Sequence, residues 1–208
     1  PIHYTLDGSE PTAASPRYTE PVEIGKSARF RATALREGGE NVSYSREFVF
    51  SKSTGHPAVL NTKPNDSYTF EGASLLVDGY HSRPVFTSGA WLGYLDEPLD
   101  VTIDMGGEQS YSSVELETLA EKGDWIFPPS SVTVWVSDNG TDFTEVASVS
   151  VPEAKAGDAD GIGRYRMQFP ETSARYLKVV AQNAAAIPAW HPGAGSKGFL
   201  FVDEVVVE

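Results

Sequence analysis

Residues 131–143 read SVTVWVSDNGTDF and carry a strong local signal for β-structure. Alternate positions of residues 132–136 are valine, and a period of two is that of a β-strand with one buried face. The Asn139-Gly140 step that follows suits the positive φ angles of a tight turn. Residues 143–146 then supply a returning apolar run. The stretch therefore predicts a β-hairpin.

The same alternation recurs in short runs along the chain, each bounded by Gly, Pro, Asn, Asp or Ser. No segment keeps helical spacing with caps over ten residues. Many short strands with frequent turns and little helix predict an all-β protein made of β-sandwiches. The further runs are Ile2-Tyr4-Leu6, Phe30-Ala32-Ala34, Val101-Ile103-Met105, Tyr165-Met167-Phe169 and Phe199-Phe201.

Length and charge predict two domains. The chain has 208 residues, which is enough for two hydrophobic cores. Residues 1–52 hold seven basic and seven acidic residues, whereas residues 53–208 hold nine basic and twenty-two acidic residues and carry the whole net charge of −13. The break coincides with the polar stretch SKSTG at 51–55. We therefore expect domains at 1–52 and 53–208.

Several function classes are excluded or disfavoured by composition. The absence of cysteine excludes disulfides and thiol chemistry. The negative charge disfavours nucleic acid and anionic lipid as partners, and no apolar run is long enough for membrane insertion. No nucleophile elbow, zinc-binding HExxH or phosphate loop occurs, so the chain is predicted to be non-catalytic. The GDADGIG stretch at 157–163 lacks the full ligand pattern of a calcium loop and predicts a solvated turn.

The N-terminal region carries the motif YTLDGSEPT at 4–12, followed by SPRY at 15–18 and FRATA at 30–34. Over about residues 1–50 it resembles the small β-domain at the C-terminal end of chitobiases and bacterial β-N-acetylhexosaminidases. The resemblance implies a small β-sandwich. Because this copy begins at the YTLDG strand, it is left open whether an upstream strand is missing.

The rest of the chain, from about residue 56, resembles the coagulation factor V/VIII type C, or discoidin-like, module. This module also serves as a carbohydrate-binding module of glycosidases, and it implies an eight-stranded jelly-roll sandwich. Six pieces occur in the family's order. They are GA…LLVDG at 72–79, WLGY at 91–94, VTIDMG at 101–106, the 131–143 hairpin, ARYLKV at 174–179 and FVDEV at 201–205.

The resemblance implies a metal site. Many modules of the family hold one structural calcium through a turn Asp, loop carbonyls and a Glu of the last strand. Asp78 and Glu204 are the matching positions, and carboxylate oxygens suit this ion. An Asx-turn, in which Asp78 only caps backbone N–H groups, is the alternative. The pattern places Asp203 on the opposite strand face as a strand-end or surface acid.

The resemblance also implies a ligand site in loops at one end of the sandwich. Aromatic side chains on rigid loops can hold the apolar face of a sugar. Packing within the loops is the alternative for each of them. By contrast, Trp91 and Trp135 are predicted to pack in the core. The candidate ligand residues are Tyr80, His81, Arg83, Trp125, Phe127, Trp190 and His191.

The leading hypothesis is a non-catalytic accessory region of a glycoside hydrolase, with a β-N-acetylhexosaminidase as parent, that binds glycans. The expected partners are glycans with terminal galactose or N-acetylhexosamine and an upstream catalytic domain of the same chain. An exported protein is implied, whether periplasmic, cell-surface or extracellular. The main alternative is a structural interdomain module without a ligand site. A free-standing hydrolase is the third class.

Overall fold

A computed structural model describes residues 1–36 and 38–208. The chain is 46% strand and 7% helix, which confirms the all-β class. The described residues divide into two compact units. The first holds residues 1–50 and 79–81, and the second holds residues 51–78 and 82–208. No described helix is long and apolar enough to cross a membrane.

The first unit contains an antiparallel sheet in which β1 (Ile2–Thr5) pairs with β2 (Ala28–Ala34) and β2 pairs with β3 (Val42–Phe48). The Asp7-Gly8 turn follows β1, with Gly8 at φ +83°. The Asp7 carboxylate accepts hydrogen bonds from the hydroxyl and the backbone N–H of Ser9, and these bonds lower its pKa.

The second unit is organised around two long antiparallel strands, β6 (Leu99–Ala120) and β9 (Gly161–Gln182). The register between them shifts at residues 104–109 and again at 111–113. The strand order of the sheet is β5-β10-β6-β9-β7-β8, with β4 paired to the first part of β6. The remaining strands are β4 (Ala58–Leu60), β5 (Leu92–Tyr94), β7 (Ser131–Ser137), β8 (Thr144–Ser150) and β10 (Leu200–Val207).

The core of the second unit lies between the two parts of these long strands. Val101 and Ile103 of the first part of β6 belong to the same buried cluster as Val114 and Leu116 of its second part. Side chains from both halves of a bent strand therefore meet across one core, as in a sandwich. Short 3₁₀ turns occur at Asp66–Tyr68, Gly72–Val77, Phe86–Ser88 and Lys122–Asp124.

The predicted hairpin is confirmed. β7 and β8 pair antiparallel, and the turn places Gly140 at φ +75°. The side chain of Asn139 accepts hydrogen bonds from the backbone N–H groups of Thr141 and Asp142, both at 2.9 Å. An Asn side chain that stands in for a turn carbonyl in this way stabilises the tight reversal.

A second, smaller cluster of apolar side chains lies beside the main core and contains Trp91, Leu119, Ile126 and Phe201. Trp91 is fully buried, which confirms its predicted core position. Tyr68 packs edge-on against the Phe201 ring at 4.7 Å between centroids. This close approach depends on Gly93, because a Cβ atom there would lie 2.9 Å from the Cβ of Tyr68.

We expect Gly93→Ala to destabilise the second unit. The added methyl would also lie 3.0 Å from Phe201 Cζ, so overpacking should cost about 1–3 kcal/mol and lower the Tm. Gly107→Ala is the matched control, because a Cβ there meets no atom within 4 Å. Thermal unfolding followed by circular dichroism measures both. Equal Tm values for the two variants would contradict this packing.

Candidate functional site

Four of the predicted ligand residues come together in the second unit around the His191 ring. Phe127 and Trp190 each lie 5.5 Å from it between centroids, and Trp125 lies 6.2 Å from it, all nearly perpendicular. Edge-to-face geometry of this kind is favourable for aromatic rings. We call Trp125, Phe127, Trp190 and His191 the aromatic cluster.

The aromatic cluster is supplied by two loops that are joined by backbone hydrogen bonds. Trp125 and Phe127 belong to the loop between β6 and β7, and Trp190 and His191 belong to the loop between β9 and β10. Phe199 accepts from the backbone N–H of Phe127 at 2.9 Å and donates to the carbonyl of Trp125 at 2.8 Å. These hydrogen bonds fix one loop against the other and so restrict the positions of the rings.

His191 is 8% exposed and packs against three aromatic rings. Its Nδ1 accepts a 3.0 Å hydrogen bond from the backbone N–H of Gly193, which leaves the proton of the neutral ring on Nε2. Phe127 is 2% exposed, so it offers almost no surface to a ligand. The buried pair therefore supports the two tryptophans.

The two tryptophans remain accessible, with Trp125 43% and Trp190 40% exposed. The Nε1–H of Trp190 donates to the carbonyl of Ala154 at 2.9 Å, which orients the indole between Pro188 and Pro192. Trp125 has a left-handed backbone at φ +65°. This conformation is unfavourable for a residue with a side chain and persists only where the surroundings impose it.

Lys122 imposes the conformation of the Trp125 loop. Its carbonyl accepts from the N–H of Trp125 at 3.0 Å, and its ammonium forms a salt bridge with Asp160 and donates to the carbonyl of Asp158 at 2.8 Å. Lys122 itself is only 7% exposed. Residues 157–160 of the GDADGIG stretch are exposed, as predicted from sequence, whereas its last three residues begin β9. Asp158 and Asp160 of this stretch anchor the buried lysine.

An apolar groove of about 400 Å³ borders the aromatic cluster at Phe127. Its walls are mainly proline and alanine, and Glu153 is its charged member. The groove runs up to Pro188 and Ala189, immediately before Trp190. An exposed aromatic ring beside an apolar groove of this size is typical of a small-ligand site.

Of the other three predicted ligand residues, two are grouped with the first unit and one with the second. Tyr80 and His81 are grouped with the first unit, where the guanidinium of Arg46 lies 3.6 Å from the centroid of the Tyr80 ring and Phe48 pairs with Tyr80. Arg83 belongs to the second unit and is exposed; its carbonyl accepts from Trp91 Nε1 at 3.0 Å. The structure therefore does not group Tyr80 and His81 with the aromatic cluster.

The predicted metal ligands lie at the end of a 3₁₀ turn and in the last strand. Asp78 caps the turn Gly72–Val77, and Glu204 is fully buried in β10. Asp203, predicted as a strand-end or surface acid, is instead buried and accepts from the N–H of Ser82 at 2.7 Å. Burial raises its pKa to about 8, and the charges of Glu117 and Asp78 add to this rise.

This donor set suits a hard cation such as calcium, because it consists of carboxylate oxygens in a region of negative potential. No three His, Cys, Asp or Glu side chains among residues 1–36 and 38–208 are arranged to hold a metal. An ion bound by Asp78 and Glu204 would therefore need carbonyl or water oxygens to complete its shell.

Comparison with known families decides the classification of the second unit. The F5/8 type C domain model matches residues 61–197, which is more than half of the chain. The chain belongs to the F5/8 type C domain family. A further model, described as Fn3 associated, matches residues 1–48. No curated protein matches the chain.

Solved structures similar to this F5/8 type C protein include three sugar-binding modules. CpGH89CBM32-5 from Clostridium perfringens, in complex with GalNAc-β-1,3-galactose, is 17% identical over 73% of this chain and 93% of its own, with a TM-score of 0.49. A chitosan-binding module from Paenibacillus sp. IK-5, in complex with chitotriose, is 18% identical over 76% and 98%, with a TM-score of 0.48. A fucose binding module from Streptococcus pneumoniae is 22% identical over 76% and 94%, with a TM-score of 0.47.

We predict that Gly193→Ala displaces the Trp125 indole. A Cβ atom on Gly193 would lie 2.8 Å from Cζ2 of Trp125, so the ring must move. The variant should show a changed fluorescence maximum and altered acrylamide quenching. Gly157→Ala is the control, because its Cβ meets nothing within 4 Å. Identical quenching in Gly193→Ala and the wild type would refute this contact.

Proposed function

We propose that the F5/8 type C domain binds the terminal sugar of a glycan at the aromatic cluster. The proposal rests on the pair of exposed indoles, Trp125 and Trp190. They lie on two loops that are joined by backbone hydrogen bonds, beside an apolar groove. Rigid, partly exposed aromatic rings are well suited to cover the apolar face of a pyranose.

The sugar hydroxyls also need polar partners. His191 can supply its Nε2–H, since Nδ1 is already occupied by Gly193. Arg83, an exposed cation of the same unit, stays a proposed donor, and Tyr80 and His81 stay proposed contacts. A terminal galactose, N-acetylgalactosamine or N-acetylglucosamine is the proposed ligand, because a site of two exposed rings suits a single sugar.

A site for one sugar buries little area, so its affinity should be weak. A Kd of roughly 0.1–1 mM corresponds to about −4 to −5.5 kcal/mol. Weak binding is effective in a tethered module, because the linker raises the local concentration of an attached domain at its substrate. We therefore propose a targeting role rather than a storage or transport role.

The wider context of the proposal is a non-catalytic accessory region of an exported glycoside hydrolase. The resemblance of residues 4–34 to the C-terminal domain of chitobiases supports a β-N-acetylhexosaminidase as parent and an upstream catalytic domain as partner. The net charge of −13 supports a role away from nucleic acid and anionic membranes.

We also propose that one calcium ion stabilises the F5/8 type C domain through Asp78 and Glu204. The kind of donor and the complete burial of Glu204 support this assignment. The ion would join the 3₁₀ turn before residue 79 to the last strand, and its role would be structural rather than catalytic.

Titration with galactose, N-acetylgalactosamine and N-acetylglucosamine tests the glycan site. We expect one of these sugars to bind with a Kd near 0.1–1 mM by calorimetry, and we expect Trp190→Ala to lose most of this affinity. Tyr44→Ala is the control, because Tyr44 is also an exposed aromatic residue but belongs to the first unit. If no sugar binds up to tens of millimolar, or if Trp190→Ala binds like the wild type, the structural interdomain role replaces the glycan site.

Calorimetric unfolding with and without calcium tests the metal site. A ligand that binds only the folded state adds about 2.7 kcal/mol at a concentration of 100 times its Kd, so calcium should raise the Tm. Asp78→Ala should abolish this rise, whereas Glu171→Ala, which removes an exposed acid, should retain it. Protein refolded from denaturant in chelator provides the metal-free reference. A Tm that calcium leaves unchanged in this material would rule the site out.

A further inference from the structure

A depression of about 470 Å³ lies on the outer face of the sheet formed by β6, β9, β7 and β8. It shares no lining residue with the groove beside the aromatic cluster. Its lining combines aromatic side chains with charged and amide groups. The lining residues are Asp100, Thr133, Trp135, Thr141, Phe143, Lys178, Val180 and Gln182.

Trp135 is the largest side chain of this outer-face depression. Val132, Val134 and Val136 of β7 are buried in the core, so the alternation of the strand turns Trp135 to the opposite face, where it is half-buried. The prediction that Trp135 packs in the core is therefore wrong. A tryptophan on an outer sheet face presents a broad apolar surface that no core requires.

Lys178 lies beside Trp135 on the neighbouring strand and is oriented by a ring. The two residues are paired in the register of β7 and β9. The ammonium of Lys178 lies 4.5 Å from the centroid of the Phe143 ring, a cation–π distance. Phe143 thus holds the ammonium at the edge of the depression, where its N–H donors can meet a ligand.

The polar groups of the depression are placed to bind hydroxyls. Within the described part of the chain, no side chain accepts a hydrogen bond from Trp135 Nε1 and no carboxylate forms a salt bridge with Lys178. Asp100 is bound on one oxygen by the amide of Asn61 at 2.7 Å. Donors from Trp135 and Lys178 and an acceptor from Asp100 therefore line the same depression.

The shape and charge of the depression indicate the class of ligand. Asp100, Val180 and Thr133 lie on three adjacent strands, about 10 Å from first to last axis, and the lining continues into the β7–β8 loop at Thr141. This width exceeds a single pyranose ring. The charges of Asp100 and Lys178 cancel within the depression, whereas the whole chain has a net charge of −13. A neutral ligand is therefore favoured there.

We infer that this outer-face depression is a second carbohydrate site, which binds an internal segment of a neutral oligosaccharide across β6, β9 and β7. Trp135 stacks against one ring, and Lys178 and Asp100 bind hydroxyls on either side of it. The inference does not depend on the terminal-sugar site at Trp190, because the two sites have no residue in common.

Calorimetric titration of the full chain with cellotriose and with N,N′,N″-triacetylchitotriose tests this inference. We expect at least one of these neutral trisaccharides to bind at least about tenfold more tightly than glucose or N-acetylglucosamine, because only the trisaccharide spans the depression. Trp135→Ala should raise the trisaccharide Kd at least about tenfold, equivalent to ~1.4 kcal/mol. Lys178→Gln, which removes the charge but keeps a hydrogen-bond donor on a side chain one atom shorter, should raise it by a smaller factor.

Two control variants separate the sites. Val59→Ala alters an exposed residue of β4 outside the depression and should bind the trisaccharide like the wild type. Trp190→Ala should also retain trisaccharide binding, even if it loses the terminal sugars. Unchanged Tm values for Trp135→Ala and Lys178→Gln exclude unfolding as the cause. The inference is overturned if neither trisaccharide binds, or if Trp190→Ala alone abolishes binding.

Discussion

The pairing of β6 with β9 is the constraint on which the rest of the second unit depends. Each strand has 22 residues, and their register shifts where the strands bend. The bends bring both parts of the pair around one core, while the neighbouring strands extend the sheet on each side. The loops that follow β6 and β9 contain the aromatic cluster. The outer face of the sheet contains the depression around Trp135.

The aromatic cluster illustrates how a loop site is made rigid without regular secondary structure. Backbone hydrogen bonds through Phe199 join the two loops, and buried His191 packs against the three other rings of the cluster. Lys122, anchored by Asp160, fixes the strained backbone of Trp125. These contacts lower the conformational entropy that a ligand would otherwise have to remove on binding.

Much of the fold could be predicted from local patterns. The alternation of valines in β7 and the Asn-Gly turn predict the hairpin because both signals are local. The same alternation places Trp135 on the outer face, so its position could have been read from the sequence by following the period through. The sequence order of six motifs further identified the F5/8 type C domain.

The details of the site depend on contacts between distant residues and could not be predicted in this way. Lys122 and Asp160 are far apart in sequence, and neither stands in a motif that pairs them. The guanidinium of Arg46 lies over the Tyr80 ring, and this contact likewise joins residues that no motif pairs. Asp203 is buried where it accepts a hydrogen bond from Ser82. The pairing of β10 with β6 is also irregular between residues 202 and 205, so simple strand alternation does not predict the burial of Asp203.

The indole N–H signals of the four tryptophans offer the most direct measurement of the central claim, that the aromatic cluster binds a terminal sugar. In a ¹H–¹⁵N spectrum of the labelled protein titrated with N-acetylgalactosamine, galactose or N-acetylglucosamine, we expect saturable shifts of the Trp125 and Trp190 signals. The signal of fully buried Trp91 should stay in place. Unmoved Trp125 and Trp190 signals with all three sugars, up to tens of millimolar, would contradict the account.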